Sequence, residues 1–274
     1  MSSRRAKIKG VKDHSADAQN HIELQQEKIN IWSQKALHGK HRYHVTQEHI
    51  NERQSYSWLQ DGQFFPETEG FMLAIQDQVI ATMNYMKYII KDTPITDENC
   101  RKCHQQKETI DHITSHAKLS LDPSTQLDIT LQPRSFTKKL AITNKLIENT
   151  DPYYNYTPTS VLENNEYKLY WGVEIHTDKT IPANRPDIVF QSKADKVTYL
   201  TDIAIPKDTN IQNAYAGKIS KYTELAIEIK RLWKQNKVTI VPLIMSIAGL
   251  TPNTFTPHLQ QAWTNGYTKY FKRL

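Results

Sequence analysis

Only two cysteines, Cys100 and Cys103, occur in 274 residues. That count excludes the disulfide framework of a small secreted scaffold, and the C-x-x-C spacing points to metal or redox chemistry. No run of about 18 apolar residues is present, and no apolar segment follows the charged start from Met1 to Arg5. The expectation is therefore a chain with no transmembrane helix, no secretory signal and no membrane partner, placed in the nucleus or cytoplasm. No internal repeat or low-complexity tract is visible. What the chain does have is enough length for one large domain or two ordinary ones. It is 38% hydrophobic and 23% charged, with 35 basic against 29 acidic residues, a net charge of +6. That excess permits nucleic-acid binding without requiring it.

Residues 1–20 are charged and aperiodic and are expected to form a flexible basic arm. Ile22, Leu24, Ile29, Ile31 and Trp32 suggest a helix from about residue 21 to 36, with Gly39 as a C-cap. His38, His41 and His44 invite a metal, but their flanks are basic and no acid or cysteine stands beside them. A solvated loop is the simpler expectation. Phe71, Ile75, Val79, Met83 and Met86 recur at spacings of three and four, which predicts one long helix over 67–91. Further on, Cys100 and Cys103 form a knuckle, and His112 and His116 stand at i, i+4 on a predicted helix. These four make a chemically complete Cys2His2 set for Zn²⁺, the alternative being an empty knuckle. A linker-like stretch over 118–135 carries the expected domain boundary. The division is an arm (1–20), a helical region with the knuckle at 100–116 (21–125), and an α/β domain (126–274).

The C-terminal half alternates strand and helix. Residues 167–175, 187–190 and 197–205 read as strands, and 211–235 as an amphipathic helix. Residues 238–248 are apolar on both faces, as a buried central strand should be, although Pro242 sits awkwardly within it. Two of these strands bring one aspartate each, Asp187 and Asp202. Carboxylates at defined points on neighbouring strands suit Mg²⁺ or Mn²⁺, which bind through one or two carboxylates plus substrate phosphate. Phosphodiester cleavage also needs a positive charge for the scissile phosphate. Lys218, one turn before Tyr222 on the predicted helix, is the first candidate, Lys221 the second, with Tyr222 in support. Glu174 could add a third oxygen. The alternative is that these are ordinary turn and helix-surface residues.

Several segments together resemble the C-terminal region of non-LTR retrotransposon polyproteins that carry a restriction-like endonuclease. They include Leu37-His-Gly-Lys40, Trp58-Leu59, Cys100-Arg-Lys-Cys103, Glu108-Thr-Ile-Asp-His112, Asn184-Arg-Pro-Asp187, Thr201-Asp-Ile-Ala-Ile-Pro206 and Lys218-Ile-Ser-Lys-Tyr222. The resemblance implies an α+β protein: a helical N-terminal region with a zinc knuckle, then an α/β PD-(D/E)xK domain that nicks DNA. It implies Asp187 and Asp202 as metal-binding acids, and Lys218 or Lys221 as a displaced active-site lysine. His116 would replace the cysteine that the family has where this chain has Ala117. No polymerase motif precedes the knuckle, so the expected partners are DNA, together with RNA and a reverse transcriptase acting in trans. The competing expectation is a catalytically inactive nucleic-acid-binding remnant.

Overall fold

The computed structural model describes residues 14–61, 64–91, 94–115, 134, 136–148 and 155–262. The protein is mixed α+β, built on one five-stranded sheet ordered β1 (Val161–Glu163), β2 (Tyr167–Trp171), β3 (Ile188–Ser192), β4 (Val197–Ala204) and β5 (Lys237–Ile244). The first three junctions are antiparallel, and the last is parallel. That parallel step needs a crossover, which α9 (Ile211–Leu232) supplies. Side chains alternate across the sheet with period two. Val189 and Leu200 therefore face α9, where Tyr222, Leu225 and Ile229 cover them. Leu169, Ile188, Phe190, Val241 and Leu243 face the other way, onto Phe136, Leu140 and Ala141 of α8 (136–143) and Leu259 of α10 (Phe255–Ala262). Each fully buried Leu, Ile or Phe side chain contributes about 1.5–3 kcal/mol of transfer free energy.

Among the described residues β5 is an edge strand and not a central one, pairing only with β4. Its two apolar faces are explained by the two helices that cover it, α9 on one side and α10 on the other. Edge position also accommodates Pro242, which has no N–H to give to a ladder. The Pro242 carbonyl accepts from His258 Nδ1 of α10 at 3.0 Å.

The N-terminal helices are α1 (His14–Ser33), α2 (Lys40–Val45), α3 (Glu52–Ser55), α4 (Ser57–Asp61) and α5 (Pro66–Gln76). α1 takes in residues 14–20, which composition had placed in the basic arm. Gly39 is no left-handed cap: its φ is −86°. It is needed for close approach, because a Cβ there would meet the carbonyl oxygens of Trp32, Ser33 and Lys35 at 2.5, 2.6 and 2.7 Å.

The predicted helix over 67–91 is broken. α5 stops at Gln76, and α6 (Met83–Tyr85) starts afresh from Thr82, whose Oγ1 accepts from Tyr85 N at 3.1 Å. A π-helical turn follows at Met86–Ile90. The break is a Schellman motif: Gln78 takes φ 59°, its N–H reaches Ile75 O at 3.2 Å, and Val79 N–H reaches Ala74 O at 2.9 Å. The apolar spacing ran on across this turn and concealed it. β2 likewise ends early, at Trp171, because Gly172 turns the chain with φ 56°.

α2, α3 and α5 dock on the segment that follows β5 and on the entry of α9. Asn51 N donates to Thr251 O at 2.8 Å, Thr251 N to Ser55 Oγ at 2.9 Å, and Gln76 Nε2 to Ala248 O at 2.9 Å. Val45 and Ile50 share a core with Ile211, Ile244 and Leu250. α7 (Ile110–Ser115) joins through Ile110, which packs with Ile75 and Ala248. Among the described residues, no helix is long and apolar enough to cross a membrane.

Candidate acidic site and cysteine–histidine cluster

Asp187 is the residue before β3, and Asp202 lies within β4. The ladder pairs Ile188 with Thr201, so the next step of the antiparallel register sets Asp187 opposite Asp202. Residues directly opposite on one face have Cβ atoms about 4.5–5.5 Å apart. Asp187 is two residues before Val189 and Asp202 two after Leu200, which puts both carboxylates on the α9 face.

Each oxygen environment follows from this placement. Asp187 Oδ2 accepts from Ile203 N at 2.8 Å. Asp202 is buried, and its Oδ1 accepts from Tyr222 Oη at 2.7 Å. Its Oδ2 has no aligned hydrogen-bond donor, but the Lys218 ammonium is ion-paired with it. Lys221 Nζ donates to Tyr222 Oη at 2.8 Å, and the Arg185 carbonyl lies 3.2 Å from the same hydroxyl. Lys218 and Tyr222 are i, i+4 on α9 and so reach the same acid. Burial, and then the charge of Asp202, raise Asp187 above the usual carboxylate range. Burial and the bond to Asp202 likewise raise Tyr222 and keep it a neutral donor.

The structure thus brings together Asp187, Asp202, Lys218, Lys221 and Tyr222. Glu174 is exposed and does not join them: among the described residues, no third histidine, cysteine or carboxylate ligand gathers with the two aspartates. Two opposed carboxylates on one sheet face could hold a divalent cation with water or phosphate completing its shell, with the Lys218 ammonium already seated on Asp202 Oδ2.

The second cluster is Cys100, Cys103 and His112, whose ligand atoms all lie within 4.8 Å of one another. Cys103 Sγ is 3.3 Å from His112 Nε2. The other ring nitrogen, Nδ1, lies 3.1 Å from Gln106 Oε1, a partner that leaves Nε2 as the ligating atom. Lys102 N donates to Cys100 Sγ at 3.4 Å, and backbone N–H groups, that of Gln105 foremost, hold the Cys103 thiol below its ordinary value. The donor set fits Zn²⁺ with a fourth ligand still to be supplied. His116, expected to supply it, lies outside the described residues.

Two features escaped the sequence reading. Glu108 is buried, and its carboxylate accepts from Met83 N, Arg101 N and the Arg101 guanidinium, tying the knuckle to α6. Burial pushes this carboxyl up, but those donors outweigh it and hold Glu108 below the usual range. His41 is on helix α2 and is 2% exposed, not on a solvated loop. Its spacing of four from Val45 was the available signal, overridden by the basic residues around it. No family model matches the chain, and no curated protein matches it.

Proposed function

We propose that this protein is a metal-dependent DNA endonuclease of the restriction-like type, nicking one strand with Mg²⁺ or Mn²⁺. One observation carries the reading: Asp187 and Asp202 stand opposite one another on the sheet face where Lys218, Lys221 and Tyr222 converge. Asp187 and Asp202 would hold the ion, which supplies Lewis-acid polarisation of the phosphoryl oxygen. Tyr222 fixes the rotamer of Asp202, and Lys218 balances the acids and offers positive charge to the phosphate. Lys221, exposed beside Tyr222, adds a second cation. Cys100, Cys103 and His112, with His116, would hold a structural Zn²⁺ that stabilises the knuckle.

The resemblance to the nuclease region of non-LTR retrotransposons supports DNA as the substrate, with RNA and a reverse transcriptase in trans as partners. The test is nicking of supercoiled plasmid with Mn²⁺ by the full chain. Wild type converts plasmid to the open circle, and Asp202→Ala loses at least about 100-fold, the scale of removing one such electrostatic group. A wild type no more active than the variant sinks the reading. One observation favours a non-catalytic nucleic-acid binder: the Lys218 ammonium already neutralises Asp202. That reading predicts salt-sensitive DNA binding without nicking.

A further inference from the structure

The buried His41 stands beside the half-buried Asp208, a pair that the proposed chemistry does not use. Asp208 belongs to a 3-10 turn (Asp208–Asn210) that runs directly into α9. His41 Nδ1 faces Asp208 Oδ2 at 3.7 Å, too long for a hydrogen bond but within ion-pair range. Both ring nitrogens of His41, and Asp208 Oδ1, are buried without a hydrogen-bond partner. The ring also packs edge-on against Tyr56, with centroids 5.9 Å apart. An apolar side chain of this size would avoid stranding two buried nitrogens. What only the imidazole adds is a polar contact to Asp208. An aspartate just ahead of a helix also complements the positive end of its dipole, so Asp208 favours the entry of α9 in addition to its contact with His41.

We propose that His41 is a positioning residue for the acidic site: by holding Asp208 it sets where α9 begins, and so how Lys218 and Tyr222 meet Asp202. Lys218 lies ten residues, about 15 Å of helix, beyond Asp208. A small tilt at the entry is therefore carried to the Lys218 and Tyr222 contacts, where a displacement of about 1 Å costs on the order of 100-fold in rate. The N-terminal helices become part of the nuclease by this route. The proposal rests on the endonuclease reading, and its test keeps the two separate.

The experiment compares full-length wild type, His41→Leu and His41→Asn. Leu keeps the packing and removes the contact, whereas the Asn amide stands near the Nδ1 position and restores a donor. Hydrogen exchange over residues 211–218 is measured together with the kcat and KM of Mn²⁺-dependent nicking. The expected result is about tenfold faster exchange in His41→Leu, the scale of one lost buried polar contact. Its kcat falls about tenfold with KM unchanged, its melting temperature stays near wild type, and His41→Asn recovers most of both losses. Unchanged exchange and kcat in His41→Leu overturn the proposal, as does equal loss in Leu and Asn variants. Should wild type show no Asp202-dependent nicking, the endonuclease reading fails on its own account. Exchange over 211–218 then decides the His41–Asp208 latch: unchanged protection refutes it, and loss in the Leu variant alone upholds it.

Discussion

Tyr222 Oη donates to Asp202 Oδ1 at 2.7 Å, from a fully buried ring on α9 to a buried acid on β4. Tyr222→Phe keeps the ring in the core and leaves Asp202 short of one donor. The expected cost is about 1–3 kcal/mol of stability, read by denaturant unfolding. Nicking should fall about tenfold as the carboxylate loses its fixed orientation. Equal activity in the Phe variant would show that the hydroxyl does nothing for the site.

Asp187 gives a pH prediction. Its native value is raised, by burial and by the charge of Asp202. A carboxyl raised on folding stabilises the native state below its unfolded value, about 3.9, and that contribution is lost as pH climbs through the raised native value. Asp187→Asn keeps an oxygen for Ile203 N–H and carries no charge. Above that window it should be more stable than wild type by up to about 1 kcal/mol, the scale of an opposed like-charge pair, with nicking abolished. Mn²⁺ should raise the melting temperature of wild type and leave the Asn variant unmoved.

Three helices end on residues that pay for a left-handed backbone. Gln78, Lys145 and Lys234 take φ of 59°, 52° and 50° after α5, α8 and α9. At the last two, Leu146 N bonds Ala141 O at 2.8 Å and Gln235 N bonds Lys230 O at 3.0 Å, the same closing pattern as at Gln78. Glycine adopts this conformation without a Cβ penalty of about 1–2 kcal/mol. Lys145→Gly and Lys234→Gly should each stabilise the protein by about 1 kcal/mol in thermal or urea melts.

Gly39→Ala should do the reverse. Its Cβ would press into three backbone carbonyls that have no flexible end to move aside. Overpacking of this kind costs about 1–3 kcal/mol, visible as a lower melting temperature.

Metal removal tests the knuckle. Wild type should carry about one zinc per chain by elemental analysis, and Cys103→Ser should carry none. Losing the metal should not unfold the knuckle alone, because Ile110 packs against Ile75 and Ala248. Chelation should therefore speed hydrogen exchange at 246–251 as well as at 100–115. Exchange confined to the knuckle would show the two regions to be uncoupled.

Local pattern was enough to mark the strands of Asp187 and Asp202 and the helix of Lys218 and Tyr222, because alternation and i, i+4 spacing are local signals. It did not mark the end of α5, because Gln78 is not the glycine that usually announces such a turn. Nor did it mark Glu108, whose partner Met83 N is far away in sequence, and at His41 the basic flanks masked the spacing to Val45 while its partner Asp208 is equally distant. The apolar run in β5 reported burial on two faces and nothing about its neighbours, so centre and edge read alike.

That edge has a consequence for solubility. Because His258 takes the Pro242 carbonyl, that carbonyl points outward, and in a strand the N of the same residue points the same way. A strand arriving from a second molecule would find one donor missing and one acceptor already claimed at the middle of β5. Pro242 and His258 thus blunt the border along which sheets otherwise grow into aggregates.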